Sequence, residues 1–292
     1  MSTKQGGASA YGPNPWLQTS WDWRAAGNFI CGGAGTGLLM ARALFGGPTQ
    51  ASLWSPDWVV FIGLALVGLG LLCVWLEIGR PLRAINVFFN PKTSWMSREA
   101  FVGLLLFPAG LAAMLGFPGW NWVTAALALV FLYCQSRMLP AARGIPAWRS
   151  GLFSPLFLLT AGCEGLGIFM LLGLFHAQVS GAALLAMLAL LLLRLLVWWR
   201  YRSSVDDSLA ARARSAMDQA GRTLVLGGSL LPGLLLIAGW MLGGHAASIL
   251  FALAGACAAS TGASLKFILV TRASYNQGFA LSKMPVRGVR TP

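Results

Sequence analysis

The chain contains three glutamates whose positions suit proton chemistry in or beside a membrane. Glu77 and Glu99 stand at the two ends of a short polar bridge between long apolar segments, and Glu164 lies in the middle of another apolar segment. Because an ionised carboxylate is costly in hydrocarbon, carboxyl groups at such places usually mark a proton or ligand path. We therefore expect the functional site at the polar bridge, where the chain leaves one apolar segment and enters the next.

The polar bridge also carries residues suited to binding a small ligand. Pro81 has no backbone N–H, so the preceding helix should end there, and Arg80 then holds a cation beside Glu77. Such a group suits a quinone headgroup, because each quinone carbonyl needs a hydrogen-bond donor and two-electron chemistry exchanges two protons. The alternative interpretation is that Arg80 and Arg83 are ordinary anchors at the membrane surface. The spacing alone leaves both interpretations open.

Ionisable side chains also lie inside the apolar segments. With a rise of about 1.5 Å per residue, Arg194 and Lys266 should each lie about 9 Å below the charged ends of their helices, and Glu164 about 15 Å deep. Glu164 is thus expected to pair with Arg194 or with Lys266. Such a pair either fixes helix packing or forms a proton relay that reaches inward from the polar bridge, and the sequence does not decide between these roles.

The elements that must position these residues are membrane-spanning helices. Of the 292 residues, 57% are hydrophobic and 10% are charged, whereas a soluble domain carries roughly a quarter charged residues. The apolar residues form runs of about 20, enough to cross hydrocarbon about 30 Å thick. The predicted fold class is all-α, a polytopic membrane protein with eight transmembrane helices. The predicted spans cover residues 23–45, 58–78, 100–117, 122–139, 155–175, 181–201, 223–242 and 246–270.

The charges of the connecting segments predict the orientation of the protein. Eighteen of the 21 basic residues fall on one side of the predicted bundle: in the two terminal segments, in the connections after the second, fourth and sixth spans, or in the first or last turn of a span next to them. An even number of spans puts both termini on this side, which the positive-inside rule identifies as cytoplasmic. The predicted parts are an N-terminal surface arm (1–22), an eight-helix transmembrane domain (23–271) and a C-terminal cytoplasmic tail (272–292).

The sequence does not predict a metal centre or haem in this protein. The five cysteines stand singly inside apolar segments, without the pairs typical of iron–sulfur clusters or zinc sites. The two histidines, His176 and His245, lie at the edges of spans, whereas a bis-histidine haem takes its ligands from helix interiors. The glycine-rich run at 32–37 lies inside a span with no strand before it, which favours close helix packing over a phosphate loop.

Two segments of the polar bridge resemble the signature of a known family. Residues 76–84 (LEIGRPLRA) and 93–99 (TSWMSRE) are similar to the DmsC/NrfD membrane-anchor subunits of molybdopterin oxidoreductases. The resemblance implies two partners, a molybdopterin catalytic subunit and an iron–sulfur subunit, for an anchor in the bacterial inner membrane. The charge bias, and not the resemblance, puts the face on which they dock on the cytoplasmic side. The resemblance also implies that the anchor binds ubiquinone or menaquinone and passes electrons between the iron–sulfur subunit and the quinone pool.

By this resemblance, the quinone site and its proton exchange are expected at Glu77, Arg80, Ser97 and Glu99. Members of the family commonly carry His at the position of Glu77, where a carboxylate can still exchange protons. Glu164 is added as a third proton-exchanging residue because of its place inside a span. The candidate quinone-binding residues are Arg24, Asn28, Arg80, Arg83, Trp95 and Ser97.

Residues 21–29 are similar to a subgroup associated with phenylacetyl-CoA:acceptor oxidoreductases, and a sulfite-oxidising complex is an equally compatible substrate class. Two other functions stay open. The protein is alternatively an ion- or solute-translocating protein that uses Glu164, Arg194 and Lys266 as its path, or a purely structural anchor with the quinone bound elsewhere.

Overall fold

The computed structural model describes residues 15–47, 51–52, 54–77, 81–176 and 179–278, and its regular elements in these ranges are helices. A 3₁₀ segment, Pro81–Phe89, connects the second and third helices. The helices are α1 (Trp23–Phe45), α2 (Trp58–Glu77), α3 (Trp95–Met114), α4 (Trp120–Ala141), α5 (Phe153–His176), α6 (Gly181–Val205), α7 (Ala211–Val225), α8 (Leu231–Leu242) and α9 (Gly244–Thr271).

The molecule is a helical membrane protein. Within the described ranges, seven helices are long and apolar enough to cross a bilayer, with α7, a π-helical turn at Leu226–Leu230 and α8 counted as one continuous helix. The first predicted span, 23–45, has the bounds of α1, but this helix is not among the seven. It carries Arg24, Asn28 and Arg42, which lower its mean hydropathy, so the eighth span stays a prediction.

Two helices begin five or more residues earlier than the sequence predicts. Helix α3 begins at Trp95 rather than at residue 100, because the Ser94 hydroxyl accepts a hydrogen bond from the backbone N–H of Ser97 at 3.3 Å and caps the helix. Ser97 and Glu99 therefore lie on the first turns of a helix and not in a loop. Helix α7 begins at Ala211 rather than at residue 223, because residues 211–222 have one buried apolar face and one polar face and extend the helix beyond the predicted span.

Helix α1 lies at the centre of the bundle and packs against α2, α4, α5 and α9. Its glycine-rich run makes this possible: a Cβ at Gly37 would overlap the α5 backbone, and a Cβ at Gly165 of α5 would overlap α1. The predicted packing role of residues 32–37 is confirmed. Small residues let two helix backbones approach this closely.

One end of the bundle, where α1, α3 and α5 begin and α2, α4 and α9 end, is called the basic end below. Segments before α1 and after α9 meet there: the backbone N–H of Gln18 donates to Ser274 O at 3.1 Å. Trp21 packs against Phe29 and Trp148, with ring centroids 5.9 and 6.0 Å apart. Residues 15–22 and 272–278 thus cover the ends of α1 and α9.

At the opposite end, a buried ion pair joins α1 to α2. Arg42 Nε lies 2.7 Å from Asp57 Oδ2, and both side chains are at least nine-tenths buried. Asp57 Oδ1 also accepts hydrogen bonds from the backbone N–H groups of Val59 and Val60 at the start of α2. One carboxylate therefore serves as an N-cap and as a counter-ion.

Asp57→Ala should lower the free energy of unfolding by about 3 kcal/mol, since it removes a helix cap and leaves a buried guanidinium without this carboxylate. The thermal unfolding midpoint in mild detergent, followed by tryptophan fluorescence, measures the loss. Asp57→Asn keeps an oxygen for the cap, so its unfolding midpoint should fall between those of Asp57→Ala and the unmodified protein. Equal midpoints for Asp57→Ala and the unmodified protein would contradict the dual role.

Candidate functional site

Buried polar side chains collect on two adjacent faces of α1 near the basic end. Asn28 and Gly32 lie one turn apart on the first face, and Phe29 and Gly33 lie one turn apart on the second. The first face meets Gln135 and the second meets Lys266 and Glu164. We call Asn28, Glu99 and Gln135 the Glu99 cluster, and Glu164 with Lys266 the Glu164 pair.

The Glu99 cluster joins α1, α3 and α4 through one carboxyl group. Gln135 Nε2 donates to Glu99 Oε1 at 3.2 Å and to the backbone carbonyl of Asn28 at 3.0 Å. The Asn28 side chain also interacts with the Glu99 carboxyl. Each of the three side chains is at least 98% buried. The cluster is therefore a carboxyl group held by two amides and closed to bulk water.

Two acceptors in this cluster have no protein partner among the described residues: Asn28 Oδ1 and Gln135 Oε1. Buried amide oxygens are nearly always hydrogen-bonded, and leaving one without a donor costs about 1–3 kcal/mol. The site is thus suited to a ligand or water that brings hydroxyl donors, beside a carboxyl group able to exchange a proton.

Gln135 was not among the residues predicted from the sequence. It is the single glutamine inside the predicted apolar spans, and that isolation was a signal that could have identified it. An uncharged amide is less conspicuous than a carboxylate in hydrocarbon, although both need partners there.

The Glu164 pair is an ion pair in the interior of the bundle. Lys266 Nζ lies 2.5 Å from Glu164 Oε2, and both side chains are 1% exposed. The ammonium group also donates to the backbone carbonyl of Phe29 at 3.0 Å and lies 4.8 Å from the centre of the Phe157 ring. The pairing of Glu164 with Lys266, one of the two predicted alternatives, is confirmed.

The two groups meet at neighbouring carbonyls of α1. Gln135 donates to Asn28 O and Lys266 donates to Phe29 O. Both donors reach the helix backbone because Gly32 and Gly33 have no side chains: a Cβ at Gly32 would overlap the Gln135 amide, and one at Gly33 would overlap the Lys266 ammonium. The α1 glycines therefore position the polar groups as well as the helices.

Arg194 has a different environment. It is fully buried, and its guanidinium donates to the backbone carbonyls of Ala258 and Gly228. Gly228 lies in the π-helical turn Leu226–Leu230, where i→i+5 hydrogen bonds replace the α-helical pattern and the Gly228 carbonyl accepts from Arg194. Arg194 thus donates to backbone carbonyls, one of them in the π-helical turn. In the described part of the protein, the Glu164 carboxylate forms its ion pair with Lys266 and not with Arg194.

Trp95 and Ser97 lie on the first turn of α3, next to Glu99. The Trp95 ring stacks against two guanidinium groups, with Arg98 at 4.2 Å and Arg137 at 5.5 Å from its centre. Ser97 is 98% buried. These two predicted residues therefore lie on the same helix as Glu99 and at the same end of the bundle.

Arg24 and Glu77 form a separate group at the edge of the basic end. Arg24 Nη2 lies 2.8 Å from Asp22 Oδ2, and Arg24 Nη1 donates to the carbonyl of Leu76 at 2.9 Å. The hydrogen bonds from Arg24 lower the pKa of Asp22, the N-cap of α1. Glu77 is half-buried and interacts electrostatically with Arg24. Arg24 therefore fastens the start of α1 to the end of α2, beside Glu77.

The remaining two predicted residues belong to the bridge itself. Arg80 lies outside the described residues, and Arg83 is exposed on the 3₁₀ segment Pro81–Phe89. Phe88 of this segment packs edge-on against Phe101 of α3, with centroids 5.2 Å apart. The structure thus brings Asn28 and Glu99 into one cluster and places Arg24, Glu77 and Arg83 nearer the surface.

Known proteins are similar to this one in sequence. Residues 33–206 match the model of the family described as DMSO reductase anchor subunit (DmsC). The C subunit of the anaerobic dimethyl sulfoxide reductase of Escherichia coli strain K12 is 32% identical over 56% of this protein and 61% of its own length. The corresponding subunit of Haemophilus influenzae is 31% identical over 37% of this protein and 42% of its own length. The match therefore spans less than two thirds of either relative.

The family match includes Glu99, Gln135 and Glu164 and covers more than half of the sequence, so the protein belongs to the DmsC family of DMSO reductase membrane-anchor subunits.

Proposed function

We propose that this membrane anchor binds a quinone at the Glu99 cluster and passes electrons between the quinone pool and an iron–sulfur subunit of a molybdopterin oxidoreductase. The observation that carries the proposal is the Glu99 carboxyl group, buried near one end of the bundle beside two amide oxygens without protein donors among the described residues. Membership of the anchor family supports it.

The residues present fit a quinone headgroup. Reduced quinones carry two hydroxyl donors, which match the acceptors Asn28 Oδ1 and Gln135 Oε1, and oxidised quinones carry carbonyls that accept from amide N–H groups. A bound quinone supplies two-electron chemistry coupled to two protons. Among the described residues, no group of His, Cys, Asp and Glu is arranged to hold a metal ion.

Glu99 would hold or release a proton at the oxygen atoms of its carboxyl group. Gln135 would orient that carboxyl, because its Nε2 also binds the α1 backbone and is fixed in place. Trp95, whose ring lies close to the guanidinium groups of Arg98 and Arg137, would help to exclude water from this end of the site. Glu164, paired with Lys266 on the neighbouring face of α1, is included in the proposal as an inner proton-exchanging residue.

The proposed orientation has the basic end in the cytoplasm of a bacterial cell, with α1 as an eighth membrane span. Charge supports it: most basic residues lie at this end, which carries the Glu99 cluster. An iron–sulfur subunit docked there would place its nearest cluster close to the quinone, and a molybdopterin subunit would complete the complex. Phenylacetyl-CoA and sulfite stay predictions for its substrate.

Purification of the tagged protein from its native membrane in mild detergent tests the proposal. We expect stoichiometric molybdenum or tungsten, together with iron and two co-purifying polypeptides, and a quinone in the lipid extract. The same membrane carrying the untagged protein is the control for adventitious metal. A protein purified without metal and without partners would overturn the proposal and favour translocation.

A further inference from the structure

A pocket at the basic end is lined by three arginines. It lies between the end of α4 and the beginning of α5 and has a volume of about 580 Å³. Among the described residues, no Asp or Glu lines it; its lining consists of Arg137, Pro140, Arg143, Arg149, Ser150, Gly151 and Ser154. A concave surface with three guanidinium groups and no carboxylate favours an anionic ligand.

The deepest of these arginines has unused donor capacity. Arg137 is half-buried, and its Nε has no hydrogen-bond partner within the described part of the protein. Arg143 and Arg149 are exposed and stand at the rim. Since the Arg149 Nε donates to the backbone carbonyl of Arg143, the two rim residues are held side by side. Planar guanidinium groups in such an arrangement match the oxygens of a phosphate group.

The pocket stands at the end of an apolar stripe that faces outward. Arg137 follows Val130 and Tyr133 on one face of α4, and the side chains of these two residues are 47% and 46% exposed. Outward apolar residues of a membrane helix contact lipid tails, so an anion held by Arg137 would lie above a surface suited to acyl chains.

We propose that this pocket binds the phosphate headgroup of an anionic phospholipid, whose acyl chains lie along the Val130–Tyr133 face of α4. Charge selects the headgroup, and the outward stripe favours a lipid over a soluble phosphate. Basic pockets between membrane helices bind anionic headgroups in this way. The proposal does not depend on quinone binding, because it concerns the α4–α5 junction rather than the Glu99 cluster.

Lipid titration of the purified, delipidated complex tests this site. Native mass spectrometry counts the phosphatidylglycerol molecules bound per complex, with phosphatidylcholine as the zwitterionic comparison. Arg143→Gln/Arg149→Gln should weaken binding of one phosphatidylglycerol about 30-fold, at roughly a fivefold loss for each surface arginine. The matched control is Arg212→Gln/Arg222→Gln, which removes the same charge from exposed positions on α7 and should leave that lipid bound.

Three outcomes would overturn the proposal. Equal losses in both double variants would mean general attraction to a basic surface. Equal retention of phosphatidylcholine would mean that charge does not select the ligand, and displacement of the lipid by millimolar inorganic phosphate would identify a soluble anion as the ligand. If the double variant does not assemble, the single change Arg143→Gln, at an exposed side chain, gives the same comparison with an expected loss of about fivefold.

Discussion

Glu99→Gln should lower quinone-linked turnover of the assembled complex at least 100-fold. The change keeps the size and the hydrogen-bonding oxygen of the side chain but removes the exchangeable proton, and a positioned acid or base typically contributes about 100- to 10,000-fold. Because Gln135 still has an oxygen to donate to, the cluster should keep its geometry and the complex should assemble. Turnover with a quinone or quinol analogue, relative to the amount of assembled complex, measures the effect.

A second redox partner separates the quinone site from the rest of the complex. A soluble redox dye that exchanges electrons directly with the iron–sulfur subunit should support normal turnover in Glu99→Gln. The matched carboxyl-to-amide control is Asp218→Asn, since Asp218 lies at the same end but is about half exposed and pairs with Arg202. Quinone-linked turnover within a few-fold of the unmodified complex would remove Glu99 from the proposed chemistry, even if the metal content were complete.

The helices were largely predictable because length and hydropathy determine a membrane span. The bounds of α1 match the predicted 23–45, and α6 begins at the predicted Gly181. The errors arose where polar sequence continues a helix beyond the hydrocarbon, as in the cap at Ser94 and the early start of α7. Hydropathy does not report these extensions, since their stability comes from capping and from one apolar face.

The sequence predicted how deep the site residues lie in the membrane, but not toward which neighbour each helix turns them. Sequence position placed Glu164 near the level of both Arg194 and Lys266, yet the angular position of each helix decides which cation it meets. The structure turns Lys266 toward Glu164 and Phe29, while Arg194 meets the π-helical turn. Similarly, Asn28 and Glu99 were both predicted, but their link through Gln135 depends on the packing of α4 against α1 and α3.

Glu164→Gln should lower the free energy of unfolding by about 3–5 kcal/mol, because it leaves the Lys266 ammonium buried without its counter-ion. Lys266→Met should have an effect of similar size through the uncompensated carboxylate. Denaturation of the purified complex, followed by tryptophan fluorescence, compares each variant with the unmodified protein. The single variants alone do not separate a packing role from proton exchange, because both roles need an intact pair.

The double variant Glu164→Gln/Lys266→Met separates these roles. Replacing both members of a buried ion pair by neutral residues is often close to neutral for stability, so the double variant should recover most of the stability that either single change loses. If Glu164 exchanges protons during turnover, the recovered complex should still lose quinone-linked activity at least tenfold while dye-linked activity stays normal. A stable double variant with full quinone-linked turnover would restrict the pair to holding α5 and α9 against α1, and proton exchange would then rest on Glu99 without Glu164.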